Sequence, residues 1–268
     1  MVFEVEITSL SRDETMKLDF VPLLQVQRDL YRIPRGRERF GEYLRMMLSD
    51  DRTNVQLPPL IIVNPMAKDH VPALLDALLA LQAEDVAGQA VSEASEQLAG
   101  TPGEYKVALV LADDVMEGWT NRYTTEFSLR FELAPSLKSG WLIVVMWTSE
   151  TPSPQVVREE VLTTIYRVAH LQQHGVAHTL QEMMAQEGFA MARAGCTSPV
   201  LDAEDISYTR KVITPHLKTQ HGPTVMGCLF GDEVARALGY PPLGLRTRAG
   251  FALALHDARG IASKGKTA

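Results

Sequence analysis

An α+β fold follows from three features of this chain. Short apolar runs of strand length fall between residues 60 and 147, a long helical stretch separates the first two of them, and the pattern is helical from residue 154 onward. The expected architecture is a mixed sheet, three parallel strands plus one antiparallel, with a backing helix and a helical C-terminal part. The segments are 1–57, a helical and extended stretch packed on the core; 58–195, the sheet and a helix pair; and 196–268, helical. With 268 residues the chain can bury one substantial core, and the three segments are expected to form one domain.

The elements follow in order. Val2–Ile7 alternates as a strand does, and 8–31 is mixed. Arg32–Arg39 leads into a helix with Phe40, Leu44, Met47 and Leu48 inward. Pro58 and Pro59 introduce a buried strand, Leu60–Val63, stopped by Asn64 and Pro65. A helical region over about 69–98 buries Leu74, Leu75, Leu78, Leu79 and Leu81. Strands are expected at 105–111, 122–132 and 139–147. The middle one alternates Tyr123, Thr125, Phe127, Leu129, Phe131, as a half-exposed antiparallel strand should. A helical connection makes the first pairing a parallel crossover, and the short turns that follow make only 122–132 antiparallel. Ser153 and Pro154 open a helix that Gly175 closes, and Thr179 with Glu182 forms a capping box for a helix ending at Gly195. Asp202 caps a helix ending before Pro215. Two more helices lie near 231–238 and 248–258.

Composition narrows the function. A net charge of −7 with pI near 5.5 speaks against a nucleic-acid binder. Two cysteines outside any CxxC form no disulfide framework, and with no signal-like start and no apolar run of spanning length the expectation is a soluble, cytoplasmic protein with no membrane association. GxSxG, P-loop and GxGxxG motifs are absent.

One residue breaks the pattern of its helix. Leu180, Met183, Met184, Met191 and Ala194 share an apolar stripe, and Glu187 falls in its middle. A buried carboxylate needs a partner, and the preceding helix offers Arg158 or Arg167 first and a histidine second. His170 and His174 stand four apart, which is competent ligand spacing, on a stripe that otherwise reads as a solvent face.

The element order over 58–195, with the E-G-F-A run at 187–190, resembles the zincin metallopeptidases, in particular gluzincin-type members. The resemblance implies a metal site in which Glu187 would be the third ligand. The required His-Glu-x-x-His is missing, however. The nearest spacing, His170 to His174, has Leu171 in place of the base, and Arg158-Glu159-Glu160-Val161-Leu162 has Arg and Leu at the ligand positions. The implied protein is therefore a zincin-like scaffold without its metal, acting as a binding or accessory protein, with no cofactor.

Two alternatives stand beside it. One is a metal-dependent, zinc-using hydrolase with a non-standard catalytic set, His170, His174 and Glu187. The other is a small anionic-ligand binder. Its candidate residues are Asp113, Asp114, Trp119, Asn121 and Arg122, where strand ends meet at one sheet edge, with Arg35 and Arg37 in the arginine-rich turn. The partner is a protein or small molecule that the sequence does not name.

Overall fold

In a computed structural model, which describes residues 16–51, 53–115 and 120–265, the sheet has three strands and all of them are parallel. The strands β1 (Lys17–Pro22), β2 (Glu104–Ala112) and β3 (Trp141–Trp147) lie in the order β1-β2-β3, with Phe20 opposite Val107 and Val110 opposite Val145. Between β1 and β2 run α1 (Leu24–Leu30), α2 (Arg37–Met47), a 3₁₀ turn (Pro58–Ile62), α3 (His70–Ala80) and α4 (Ala83–Gln97). Between β2 and β3 come α5 (Arg122–Phe131) and α6 (Ala134–Ser139). The remainder is helical: α7 (Pro154–His174), α8 (Leu180–Ala194), α9 (Ala203–Ile213), α10 (Gly222–Phe230), α11 (Asp232–Ala237) and α12 (Ala249–Gly265).

Alternation along the strands divides the core in two. Val107, Leu109, Leu111, Leu142, Val144 and Met146 face the helices α3, α4 and α7 and the C-terminal helices behind them. Ala108, Val110, Val145 and Trp147 face Leu30 of α1, Tyr43 of α2 and Leu60 of the 3₁₀ turn. Where β1 runs out at Pro22, the buried Gln27 takes over its role: its side-chain amide donates to the Leu111 carbonyl at 2.7 Å and accepts the Leu111 N–H at 3.0 Å.

The α+β class, the strands near 105–111 and 139–147 and the helical C-terminal part agree with the sequence reading, as do the caps at Ser153, Thr179 and Asp202. The mixed sheet does not. Residues 122–131 are helical, capped by Asn121, whose Oδ1 accepts the Thr124 N–H at 3.1 Å. Tyr123, Phe127 and Phe131 are four apart, so they serve one helix face as well as one strand face. Leu60–Val63 is no strand either, because two prolines without N–H groups start a 3₁₀ turn there. The third parallel strand is instead Lys17–Pro22, inside the stretch read as mixed. The expected helix 69–98 is two helices, broken where Gln82 adopts φ +54°. The expected strand at 2–7 lies outside the described residues.

Helices α8 and α12 cross closely. A Cβ at Gly188 would sit 2.6 Å from the Ala254 carbonyl oxygen, so the glycine of the E-G-F-A run is set by helix packing. No helix among the described residues is long and apolar enough to cross a membrane.

Candidate functional site: an arginine–glutamate cleft beside the last strand

Polar residues gather at the carboxyl ends of β2 and β3. Asp113, buried at the end of β2, has His70 Nε2 at 2.8 Å and Thr148 Oγ1 at 3.1 Å from its Oδ1. Burial opposes its charge, but His70, the Val115 N–H and the Thr148 hydroxyl together outweigh burial, so its pKa lies below the usual carboxylate range. Asp114 accepts from Ser149 N at 2.9 Å and Ser149 Oγ at 2.6 Å. Arg122, the first residue of α5, ties these groups together. Its Nη1 donates to Asp114 at 3.1 Å and Ser149 Oγ at 2.6 Å, its Nη2 to Glu150, and its guanidinium lies 5.3 Å from the Trp147 ring centre.

From Arg122 the network runs inward. Glu126, one turn on, receives Arg130 Nη2 at 2.7 Å and Arg248 Nη2 at 2.8 Å. Arg130 then reaches Glu187, and Arg167 grips Glu187 from the other side, Nε to Oε1 at 2.7 Å and Nη2 to Oε2 at 3.1 Å. The continuous chain is thus His70–Asp113–Thr148–Asp114–Arg122–Glu126–Arg130–Glu187–Arg167. Burial disfavours charge on Glu187 and Glu126, but the surrounding guanidiniums prevail and hold both pKa values below normal. Arg248 reaches the cluster from a strained backbone, φ +59°, that non-glycine residues seldom adopt.

Among the described residues, two buried nitrogens of this network, His70 Nδ1 and Arg122 Nε, have no hydrogen-bond partner, and a half-exposed carboxyl beside the arginines, Glu160, has none either. The carboxylate oxygen closest to Arg122 Nε is Glu126 Oε2, at 3.8 Å. Glu160 of α7 has no side-chain hydrogen bond or ion pair among the described residues, although Arg130, Arg167 and Arg248 surround it. Burial drives its pKa up, and those arginines offset only part of the effect. Arg122 and Glu160 line a cleft of about 360 Å³ between α5 and α7, together with Thr163, Met191 and Ser198. A narrower recess continues from it along Ile143, Val145 and Trp147.

The sequence candidates distribute as follows. Glu187 is fully buried and paired with Arg167, as its place in the stripe requires, and with Arg130, which the sequence reading missed. Arg158 instead pairs with Glu93. His170 is buried and His174 exposed, their ring centres 4.4 Å apart at the far end of α7. Neither hydrogen-bonds Glu187, and among the described residues no group of three or more His, Cys, Asp or Glu could hold a metal ion. Asp113, Asp114 and Arg122 do come together, whereas Asn121 is a helix cap and Trp119 lies outside the described residues. Arg35, just before α2, and Arg37, its first residue, are exposed and do not line the cleft. Glu126, Arg130, Glu160 and Arg248 were not foreseen. The i, i+4 spacing of Glu126 and Arg130 signals an ion pair only once the segment is known to be helical.

The antiparallel edge strand that the zincin resemblance requires is a helix, so the fold lends that resemblance no support. No protein-family model matches the chain, and no solved structure matches it. It is similar to an uncharacterised protein, YjfC of Bacillus subtilis (strain 168), with 35% identity over 81 residues. That stretch amounts to 30% of this chain and 27% of YjfC, so the chain spans about a quarter of the length of its relative.

Proposed function

We propose that this protein binds a small polar ligand carrying an anionic group in the cleft between α5 and α7. The observation that carries this reading is the cleft lining, in which Arg122, Arg130, Arg167 and Arg248 surround a half-exposed Glu160 carboxyl that makes no side-chain hydrogen bond or ion pair among the described residues. A ligand with an anionic group would meet these guanidiniums, and a donor on it would meet the Glu160 carboxyl. The position agrees with the tendency of parallel sheets to bind ligands outside the carboxyl ends of their strands. A binding or accessory role, as expected from the sequence, is retained, without the zincin scaffold. A hydrolase built on His170, His174 and Glu187 draws no support from this geometry, because both Glu187 oxygens are held by arginines.

Thermal unfolding with a panel of small carboxylates, inorganic phosphate and short peptides tests the proposal. A ligand at 100 times its Kd stabilises by about 2.7 kcal/mol, enough to be read directly. Arg122→Gln and Glu160→Gln are expected to weaken the effect, and Arg35→Ala with Arg37→Ala to leave it intact. If no member of the panel stabilises the protein, or if only the Arg35/Arg37 variant loses the effect, the cleft is not the site.

A further inference from the structure

The lining of the cleft changes character along α7. Val156, Glu160, Thr163 and Arg167 follow one another at helical spacing and all line it, so one face of the helix runs its length. At the Arg167 end, Arg130 of α5 and Arg248, the residue before α12, converge through Glu187 and Glu126. Arg248 is the most open of these arginines, with 28% of its side chain exposed, and its Nε is neither sealed from solvent nor hydrogen-bonded among the described residues. Its left-handed backbone would suit a glycine, and strained residues of this kind cluster at ligand clamps. Midway stand two adjacent carboxyls. Glu159 Oε1 accepts from Gln155 Nε2 and from Thr197 N at 3.3 Å, while its Oε2 and the Glu160 carboxyl are open and have no hydrogen bond among the described residues. Toward the Val156 end the wall turns apolar, with Met191, Cys196 and Pro199, brought there by the contacts of Thr197 N with Glu159 and of Arg158 with the Ala194 carbonyl.

Resting on the binding site proposed above, we infer that its ligand is a free α-amino acid with an apolar side chain. The carboxylate meets Arg248, the ammonium meets Glu159 and Glu160, and the side chain lies toward Val156, Met191 and Pro199. A plain anion entering the cleft would face the carboxyls of Glu150, Glu159 and Glu160 as well as the arginines, and such like-charge contacts select against it. An ammonium group beside the carboxylate turns those carboxyls into partners, through charge-assisted hydrogen bonds. An α-amino acid also carries its three groups in the order in which the cleft presents theirs. The volume of about 360 Å³ lies at the small end of ligand pockets, which run from roughly 300 to 1,000 Å³. It suits one amino acid better than a peptide.

Isothermal titration calorimetry of the full chain tests this. The probes are L-leucine, L-serine, isocaproate (leucine without its ammonium), isoamylamine (leucine without its carboxylate) and inorganic phosphate. L-leucine is expected to bind most tightly. Loss of either charged group should weaken Kd by about ten- to a hundredfold, as the loss of a charged hydrogen bond does. L-serine should bind about tenfold or more weakly, because it buries less apolar surface. In Glu160→Gln the gap between L-leucine and isocaproate should narrow by about tenfold. Isocaproate or phosphate binding as tightly as L-leucine would overturn the amino-acid inference and leave an anion site in the cleft. L-serine matching L-leucine, or a gap unchanged in Glu160→Gln, would overturn it as well. If isoamylamine matches L-leucine, or if no probe binds, the anionic reading fails with it.

Discussion

Glu187 and Glu160 belong to one buried cluster and answer burial in opposite directions. Glu187 is held by Arg167 and Arg130, and its folded-state pKa is lowered. Its contribution to stability is therefore present above the unfolded carboxylate value, about 4.3, and is lost as pH falls through the lower folded value. Glu187→Ala is expected to cost about 3–5 kcal/mol in urea unfolding, because two buried guanidiniums lose their counter-charge. A neutral result would contradict the pairing. Glu160 behaves oppositely. Its pKa is raised, so it favours the fold only below the unfolded value, and that contribution disappears as pH rises through the folded one. At pH 7 its charge is a cost, and Glu160→Gln should raise Tm, by about 2–4 °C for each kcal/mol recovered in a chain of this size. A lower Tm for that variant would show that ionised Glu160 is already paired. Arg35→Ala, on an exposed turn, and Arg37→Ala, at the exposed start of α2, should each change stability by no more than about 0.5 kcal/mol.

Elements were legible where their ends carry chemistry. Ser153 with Pro154, Thr179 with Glu182, and the glycines at 175 and 195 delimit α7 and α8 because caps act locally. Glu187 was legible for a related reason, since a charge inside an apolar stripe has few physical solutions. What failed was periodicity over a short span. In 122–131 the apolar residues suit both a strand and a helix, and the deciding feature is Asn121, which caps the helix although at a strand end it looks like a ligand group. Arg130 as a partner of Glu187 could not be found without that helix. The break at Gln82 has no glycine or proline to announce it. Gln27 is a further residue that sequence does not reveal, and it provides a test at this scale. Gln27→Leu orphans the Leu111 N–H and C=O, each worth about 1–3 kcal/mol if left unsatisfied. Denaturant unfolding should show the loss, and an unchanged midpoint would mean that water replaces the amide.

Across the whole molecule, the two edges of the sheet are built differently. The edge strand β1 carries charged Lys17 and Asp19 and ends at Pro22, features that discourage further strands from joining it. β3 reads Trp-Leu-Ile-Val-Val-Met-Trp, without a charge or a proline, and β1 lies on the far side of the sheet from it. Such a sequence, once uncovered, is a template for self-association. The Arg–Glu cluster on α5 consequently has a colloidal role besides any in binding, because it fastens the helix that lies alongside this edge. Arg130→Ala should not only lose stability but also form β-rich aggregates at a rate that rises with protein concentration. Adding Ile143→Lys to that variant should suppress the aggregates without restoring stability, as followed by light scattering and amyloid-dye fluorescence. Equal aggregation with and without the lysine would place the sticky segment elsewhere in the chain.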